Sequence, residues 1–244
     1  MTSTSPFLFQ DFVRVKDTLH AALRDDDDSY LLLTGNTGTG KTTLLASLRS
    51  ELDRGKYRIL YFSEARRLTA AGLVRVMCQC LRVDPRRSHS ESVHVLTRVL
   101  ADDSQRVLVW IDECHELPEE TLAEARSLVE SDLQGGARLH LLLAGLPKLR
   151  SDLQSFAPLW RRIVVREEIT GLVFDELAAF LEHSFGEGAC ERLCNDGRTI
   201  LFERAKGAPG FLIPMFRTLL RVAKGKKTIE PELVDDALRR WDLP

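Results

Sequence analysis

The sequence predicts an α/β fold in two parts: a parallel sheet covered by helices on both faces over residues 1–170, and a small all-helical domain over residues 171–244. Three observations carry that expectation. Short apolar runs of buried-strand length alternate with amphipathic stretches from Tyr30 to Ile169, the pattern of strands joined by crossover helices. A glycine-rich turn, Gly35-Asn36-Thr37-Gly38-Thr39-Gly40-Lys41-Thr42, joins the first apolar run to an amphipathic stretch. After Gly171 the strand signal stops and only helical periodicity remains.

Taken in order, Phe7–Leu23 reads as an entry segment and a helix, with Val13, Leu19 and Leu23 near helical spacing. The acidic run Asp25–Asp28 reads as a solvated loop. Tyr30–Leu33 is a buried parallel strand, and Thr42–Leu52 a helix with Leu44, Leu48 and Leu52 on one stripe. Arg58–Phe62 is the next strand and Thr69–Leu81 the next helix; the polar loop Asp84–Ser88 separates it from a helix over Glu91–Leu100. Val107–Ile111 reads as a central strand. A helix over Leu117–Leu133 follows, stopped by Gly135-Gly136, and then strands over Leu139–Ala144 and Ile163–Ile169. Phe174–Ser184, Thr199–Lys206, Phe211–Lys224 and Pro231–Trp241 are the helices of the second part.

A chain of 244 residues is long enough to bury a substantial core in each part. The formal net charge of −2 excludes nucleic-acid binding by global attraction, so any such binding must use a local basic cluster. Five cysteines, with no Cys-x-x-Cys pair, argue against a disulfide framework or a zinc knuckle and suit a reducing, cytoplasmic setting. Cys190 and Cys194 lie four apart, but no histidine pair is near them in sequence. The N-terminus has no basic or apolar segment of a signal peptide, and no apolar run approaches the roughly 20 residues that span a bilayer, so no membrane association is expected.

The glycine-rich turn matches G-x-x-x-x-G-K-[ST]. Its glycines let the chain curl so that backbone N–H groups face phosphate oxygens, and the following helix adds its positive end. In such a loop Lys41 reaches the β- and γ-phosphates and the Thr42 hydroxyl ligates Mg²⁺. The expected ligands are therefore ATP and Mg²⁺, held by Gly35 through Thr43. Asp112 and Glu113 end the strand over Val107–Ile111. Asp112 is placed to hold Mg²⁺, and Glu113 to orient and polarise the attacking water. The stretch from Thr42 to Asp112 has room for a strand and its crossovers, which favours the class with an extra strand between the two motif strands.

Asp112-Glu113-Cys114-His115-Glu116-Leu117 resembles the Asp-Glu-Ala-x-x-Leu run of the ExeA, TnsC and Mu B group of AAA+ ATPases. Leu141 through Leu149 is similar to that group's apolar strand ending in Gly-x-Pro-x-Leu, and Leu159-Trp160-Arg161-Arg162-Ile163 to its Leu-x-x-Arg-Ile element. Gly171-Leu172, Gly207-Ala208-Pro209 and Thr228 through Leu238 resemble the start, the turn and the last helix of its lid. The resemblance spans about Phe7 to Leu243. It implies an AAA+ fold whose helical part is a lid, and a homo-oligomer, ring or filament, with ATP between subunits. An arginine from the neighbour, Arg162 or else Arg161, then stabilises γ-phosphate charge. Two departures point to slow, assembly-dependent hydrolysis. Gly145-Leu146 stands where the group often has a polar sensor, and Gly210 where its lid commonly has an arginine; Arg217 and Arg221 follow on the same helix.

The resemblance leaves three functions open: a DNA-assembled ATPase that recruits or activates a transposase, a secretion-assembly ATPase like ExeA, and a signalling or chaperone-type NTPase. A compact ATPase without a further module favours the first. Its partners would be double-stranded DNA, met by Arg66, Arg67, Arg86 and Arg87, and a transposase or other DNA-transaction protein. In this group that region tends to face the central channel, where arginines repeated in every subunit multiply weak phosphate contacts. His89, His94, His115 and His140 are unclustered in sequence and read as surface or packing residues.

Overall fold

In the computed structural model, the described residues are 5–24, 30–63, 65–102, 104–132, 139–223, 225, 227–239 and 241. The Asp25–Asp28 run, the Gly135-Gly136 stop and Lys224 lie outside them. The elements follow the alternation of the sequence: α1 (Gln10–Arg24), β1 (Tyr30–Thr34), α2 (Lys41–Glu51), β2 (Tyr57–Phe62), α3 (Ala70–Cys80), α4 (His89–Asp102), β3 (Arg106–Ile111), α5 (Glu119–Asp132) and β4 (Leu139–Gly145). Then come α6 (Lys148–Ser155), α7 (Ala157–Trp160), β5 (Val165–Glu168), α8 (Leu177–Phe185), α9 (Asn195–Ala205), α10 (Pro209–Val222) and α11 (Pro231–Leu238).

The five strands form one parallel sheet in the order β2-β3-β4-β1-β5. The strand lying between β1 and β3 is β4, which follows both in the chain, whereas β2, which separates them in sequence, is an edge strand. β1 and β4 are buried along their whole length, because a parallel sheet covered on both faces has no solvated side to alternate toward. One face presents Leu32, Val109, Ile111, Leu141 and Leu143 to a core that includes Leu73 and Met77 of α3, Leu96 of α4, Leu128 of α5 and Leu153 of α6. The other face, with Leu31, Leu33, Leu108, Leu142 and Ala144, is buried as well. Each such leucine side chain contributes about 1.5–3 kcal/mol relative to exposure.

Contacts divide the chain into two units. One holds Lys16–Gly35 and Leu45–Glu168, and so contains the sheet. The other gathers the described parts of Met1–Val15, Asn36–Leu44 and Ile169–Pro244, so the glycine-rich loop from Asn36 on groups with the C-terminal helices. Within that second unit the Thr170 backbone N–H donates to Asp11 Oδ2 at 2.7 Å, and Phe7 meets Phe180 edge-on at 5.6 Å. Its core includes Leu181, Leu201, Leu212, Phe216 and Val234, and among its described residues the only pairing of strand type is the bridge Leu193–Ile229. No helix among the described residues is long and apolar enough to cross a membrane.

Several expected boundaries move, two of them in the sheet unit for plain local reasons. The helix expected from Leu117 begins at Glu119. Cys114–Glu116 is a 3-10 turn, and Leu117 is extended at ψ 132°, as a residue preceding proline must be. The last strand is shorter than Ile163–Ile169: Val165–Glu168 is a half-buried edge, and the two buried isoleucines flank it.

Candidate nucleotide site

The glycine-rich loop follows β1. Gly38 and Gly40 have φ of 81° and 103°, which a side chain would strain. The Asn36 carbonyl gathers the curl: it accepts from Thr39 Oγ1 at 2.9 Å and from Lys41 Nζ at 3.1 Å. Thr39 and Lys41 are buried in the loop, while Asn36, Thr37, Thr42 and Thr43 are exposed. Gly35 is buried in the sheet unit, its N–H bonded to Gly145 O of β4 at 3.2 Å. A Cβ added at Gly40 would meet nothing within 4 Å, so the loop borders open space there.

Within the same unit a cavity of about 260 Å³ opens beside Gly40 and Thr43. Phe7, Phe9, Phe12 and Ile213 make an apolar wall, and Arg217 brings a cation. An apolar wall with a cation beside it is chemically compatible with a heteroaromatic ring that carries an anionic tail. The sequence reading missed these aromatics, because phenylalanines ahead of a helix look like core. The start of α10 closes on the loop directly. Gly210 N–H donates to Gly38 O at 2.9 Å, and a Cβ at 210 would lie 2.8 Å from Gly38 Cα. Glycine therefore stands at 210 because two backbones touch there. Arg217 reaches the cavity from two turns further along α10.

In the sheet unit, Asp112 and Glu113 follow β3. Asp112 is buried; its Oδ1 accepts from the Glu113 N–H at 2.9 Å and its Oδ2 from the Tyr61 hydroxyl at 3.2 Å. Burial, and then the Asp112 carboxylate, push the Tyr61 phenol up, so Tyr61 stays a donor. Tyr61 also packs on Trp110 at 4.6 Å. Sequence reading took it for a strand residue, since a tyrosine in an apolar run gives no sign of its hydroxyl's partner. Glu113 holds a left-handed backbone, φ 50° and ψ 35°, which costs a residue with a side chain about 1–3 kcal/mol. Such strain concentrates at working sites. Its carboxylate lies 3.4 Å from His115 Nδ1. Thr42 and Asp112 both offer hard oxygen donors, the chemistry Mg²⁺ takes. Among the described residues no cluster of His, Cys, Asp and Glu forms another metal site, and Cys194 Sγ instead caps α9 by accepting from Gly197 N–H.

Arg162 is engaged within its own chain, 3.2 Å from Glu130 and donating to Pro158 O at 2.9 Å, with its side chain 44% exposed. Glu130 is 30% exposed, and its Oε1, which faces the guanidinium, is shielded from solvent. Arg161 is exposed beside it. Arg66 and Arg67 sit exposed on a 3-10 turn after β2. Arg86 and Arg87 are exposed between α3 and α4. With Arg75 and His89 they border a cleft of about 190 Å³ that does not take in Arg66 or Arg67.

A family model described as AAA domain matches residues 24–153, more than half of the chain. No curated protein matches in sequence. Among solved structures the fold is similar to Cdc6p from Pyrobaculum aerophilum, at 19% identity and a TM-score of 0.73 over 97% of this chain and 69% of that one. It is also similar to the ORC2 protein of Aeropyrum pernix, solved as ADPNP–ADP complexes, at 13% identity and TM-score 0.68, covering 100% and 71%. The Aeropyrum pernix ORC1 protein in complex with DNA matches at 18% identity and TM-score 0.63, covering 96% and 65%. The phosphate-type loop after β1, the acidic pair after β3 and the matched segment agree: this chain belongs to the AAA domain family, whose members bind and hydrolyse nucleotides.

Proposed function

We propose that this protein is an ATP-dependent DNA-binding AAA+ regulator, of the ExeA, TnsC and Mu B type, that assembles on DNA and recruits or activates a transposase. The observation that carries the proposal is the pairing, in one AAA-family chain, of a nucleotide loop with two exposed arginine pairs, Arg66-Arg67 and Arg86-Arg87. The likeness to a DNA-bound ORC1 supports it.

The roles divide as follows. Residues 36–43 supply the backbone donors of the phosphate cradle, Gly35 ties its start to β4, Lys41 is its cation, and the aromatic cavity beside Gly40 seats the base. Thr42 and Asp112 are the candidate Mg²⁺ ligands; the ion would neutralise phosphate charge when bound. Glu113 orients and polarises the attacking water. Arg162 leaves Glu130 and acts in trans on a neighbour's γ-phosphate, so hydrolysis depends on assembly. The arginine pairs contact DNA phosphates, which gives a grip without sequence preference.

Negative-stain imaging of the full chain with duplex DNA and a non-hydrolysable ATP analogue tests this reading. Regular rings or filaments on DNA are expected only when both ligands are present. Isolated particles under that condition would contradict the proposal.

A further inference from the structure

His115 Nδ1 is shielded from solvent and has no hydrogen-bond partner among the described residues. Shielded polar atoms without partners are uncommon, and one beside a reacting group calls for a functional explanation. The oxygen it faces is Glu113 Oε2, at 3.4 Å. At that distance the ring N–H is not aligned on the oxygen, and a rotation of the exposed carboxylate would be needed to close the hydrogen bond. The imidazole is 16% exposed, the carboxylate 48%, so the ring is the fixed partner and the carboxylate the movable one.

The local chain explains how the ring comes to be there. Glu113 turns left-handed, and the 3-10 turn Cys114–Glu116 folds back toward the end of β4. A Cβ added at Gly145 would lie 3.3 Å from His115 Nδ1 and 3.4 Å from its backbone nitrogen. Leu149 Cδ2, 3.0 Å from that Cβ, and the imidazole together fill the space into which a side chain at the end of β4 would project. Gly145 O also accepts the N–H of Gly35, the first residue of the phosphate loop, at 3.2 Å. The loop's first residue, the end of β4, His115 and Glu113 form one connected run of contacts.

We infer that His115 is a positioning residue for hydrolysis: in the tautomer carrying its proton on Nδ1, it donates to Glu113 and fixes the carboxylate that polarises water. The inference rests on Glu113 being the water-polarising acid.

The test is steady-state Mg-ATP hydrolysis by the full chain, with calorimetric nucleotide affinity and melting temperature measured beside it. His115→Ala is expected to lower kcat about tenfold or more while leaving KM and ATP affinity within about twofold. His115→Asn, whose amide nitrogen can stand where Nδ1 stands, is expected to recover most of the loss. Wild-type kcat in His115→Ala, or a His115→Asn variant no better than alanine at equal melting temperature, would overturn the role. Glu113→Gln separates the two layers. If it hydrolyses ATP at the wild-type rate, the reading of Glu113 fails; if it is inactive while His115→Ala is fully active, only the positioning role fails.

Discussion

Gly210 N–H donates to Gly38 O at 2.9 Å, so the first turn of α10 rests on the backbone of the phosphate loop. Because the atom facing a Cβ at 210 is Gly38 Cα, at 2.8 Å, no side chain can yield to make room. Gly210→Ala should therefore displace the loop and weaken ATP binding about tenfold, which is ~1.4 kcal/mol, without unfolding the chain. Gly210→Arg should weaken binding too, not restore a missing contact. Isothermal titration calorimetry and circular dichroism check both; an alanine variant with wild-type affinity would show that the contact is dispensable.

Glu113→Gln should keep ATP affinity and lose hydrolysis by about 10²–10⁴-fold, since an amide does not polarise water as a carboxylate does. Single-turnover assays read the loss directly. Turnover at the wild-type rate would remove Glu113 from its role.

Lys41→Ala should abolish ATP binding, because Nζ is the side-chain cation of the loop. Arg162→Ala should bind ATP and fail to hydrolyse it. Mixing the two inactive variants should recover part of the activity, since some interfaces would pair an intact cradle with an intact Arg162. No recovery at any ratio, with co-assembly confirmed, would end the trans assignment.

Much of the fold was legible because central parallel strands are continuous apolar runs. Tyr30–Leu33, Val107–Ile111 and Leu139–Ala144 stand out against their polar flanks, and helices over Thr42–Leu52 and Thr69–Leu81 carry clean stripes. Boundaries set by single contacts were harder. Helix α4 starts at His89, where Ser88 Oγ accepts the Glu91 N–H, and α9 starts at Asn195 behind a cysteine cap. At the site, the loop and the acidic pair declare themselves through residue type and spacing. Tyr61, the aromatic cavity and the Gly210 contact do not, because each depends on which remote segments the fold brings together, and the His115–Glu113 pair depends on the left-handed turn at Glu113.

The cysteines give an independent check of the packing. Burial, and then the Asp112 carboxylate, push the Cys114 thiol up to about 12, and burial also raises Cys78; Cys80 is exposed. Only the thiolate alkylates. Iodoacetamide at pH 8 should label Cys80 first and Cys114 only after denaturation, as read by peptide mass spectrometry. Since the folded Cys114 pKa is raised, its contribution to stability is complete below the ordinary value of 9 and fades as pH rises toward 12. Equal labelling of Cys114 and Cys80 in the native protein would contradict this packing.

The central claim is that ATP gathers weak phosphate contacts into one grip on DNA. Fluorescence anisotropy on two unrelated duplexes, with a non-hydrolysable ATP analogue, with ADP and without nucleotide, tests it most directly. Binding should be tight only with the analogue, alike for both sequences, and steeply weakened by salt, because each neutralised phosphate releases counterions. Replacing Arg66, Arg67, Arg86 and Arg87 together should weaken binding to both duplexes and flatten the salt slope, with ATP affinity unchanged. Indifference to DNA at low salt under all three nucleotide conditions would contradict the claim.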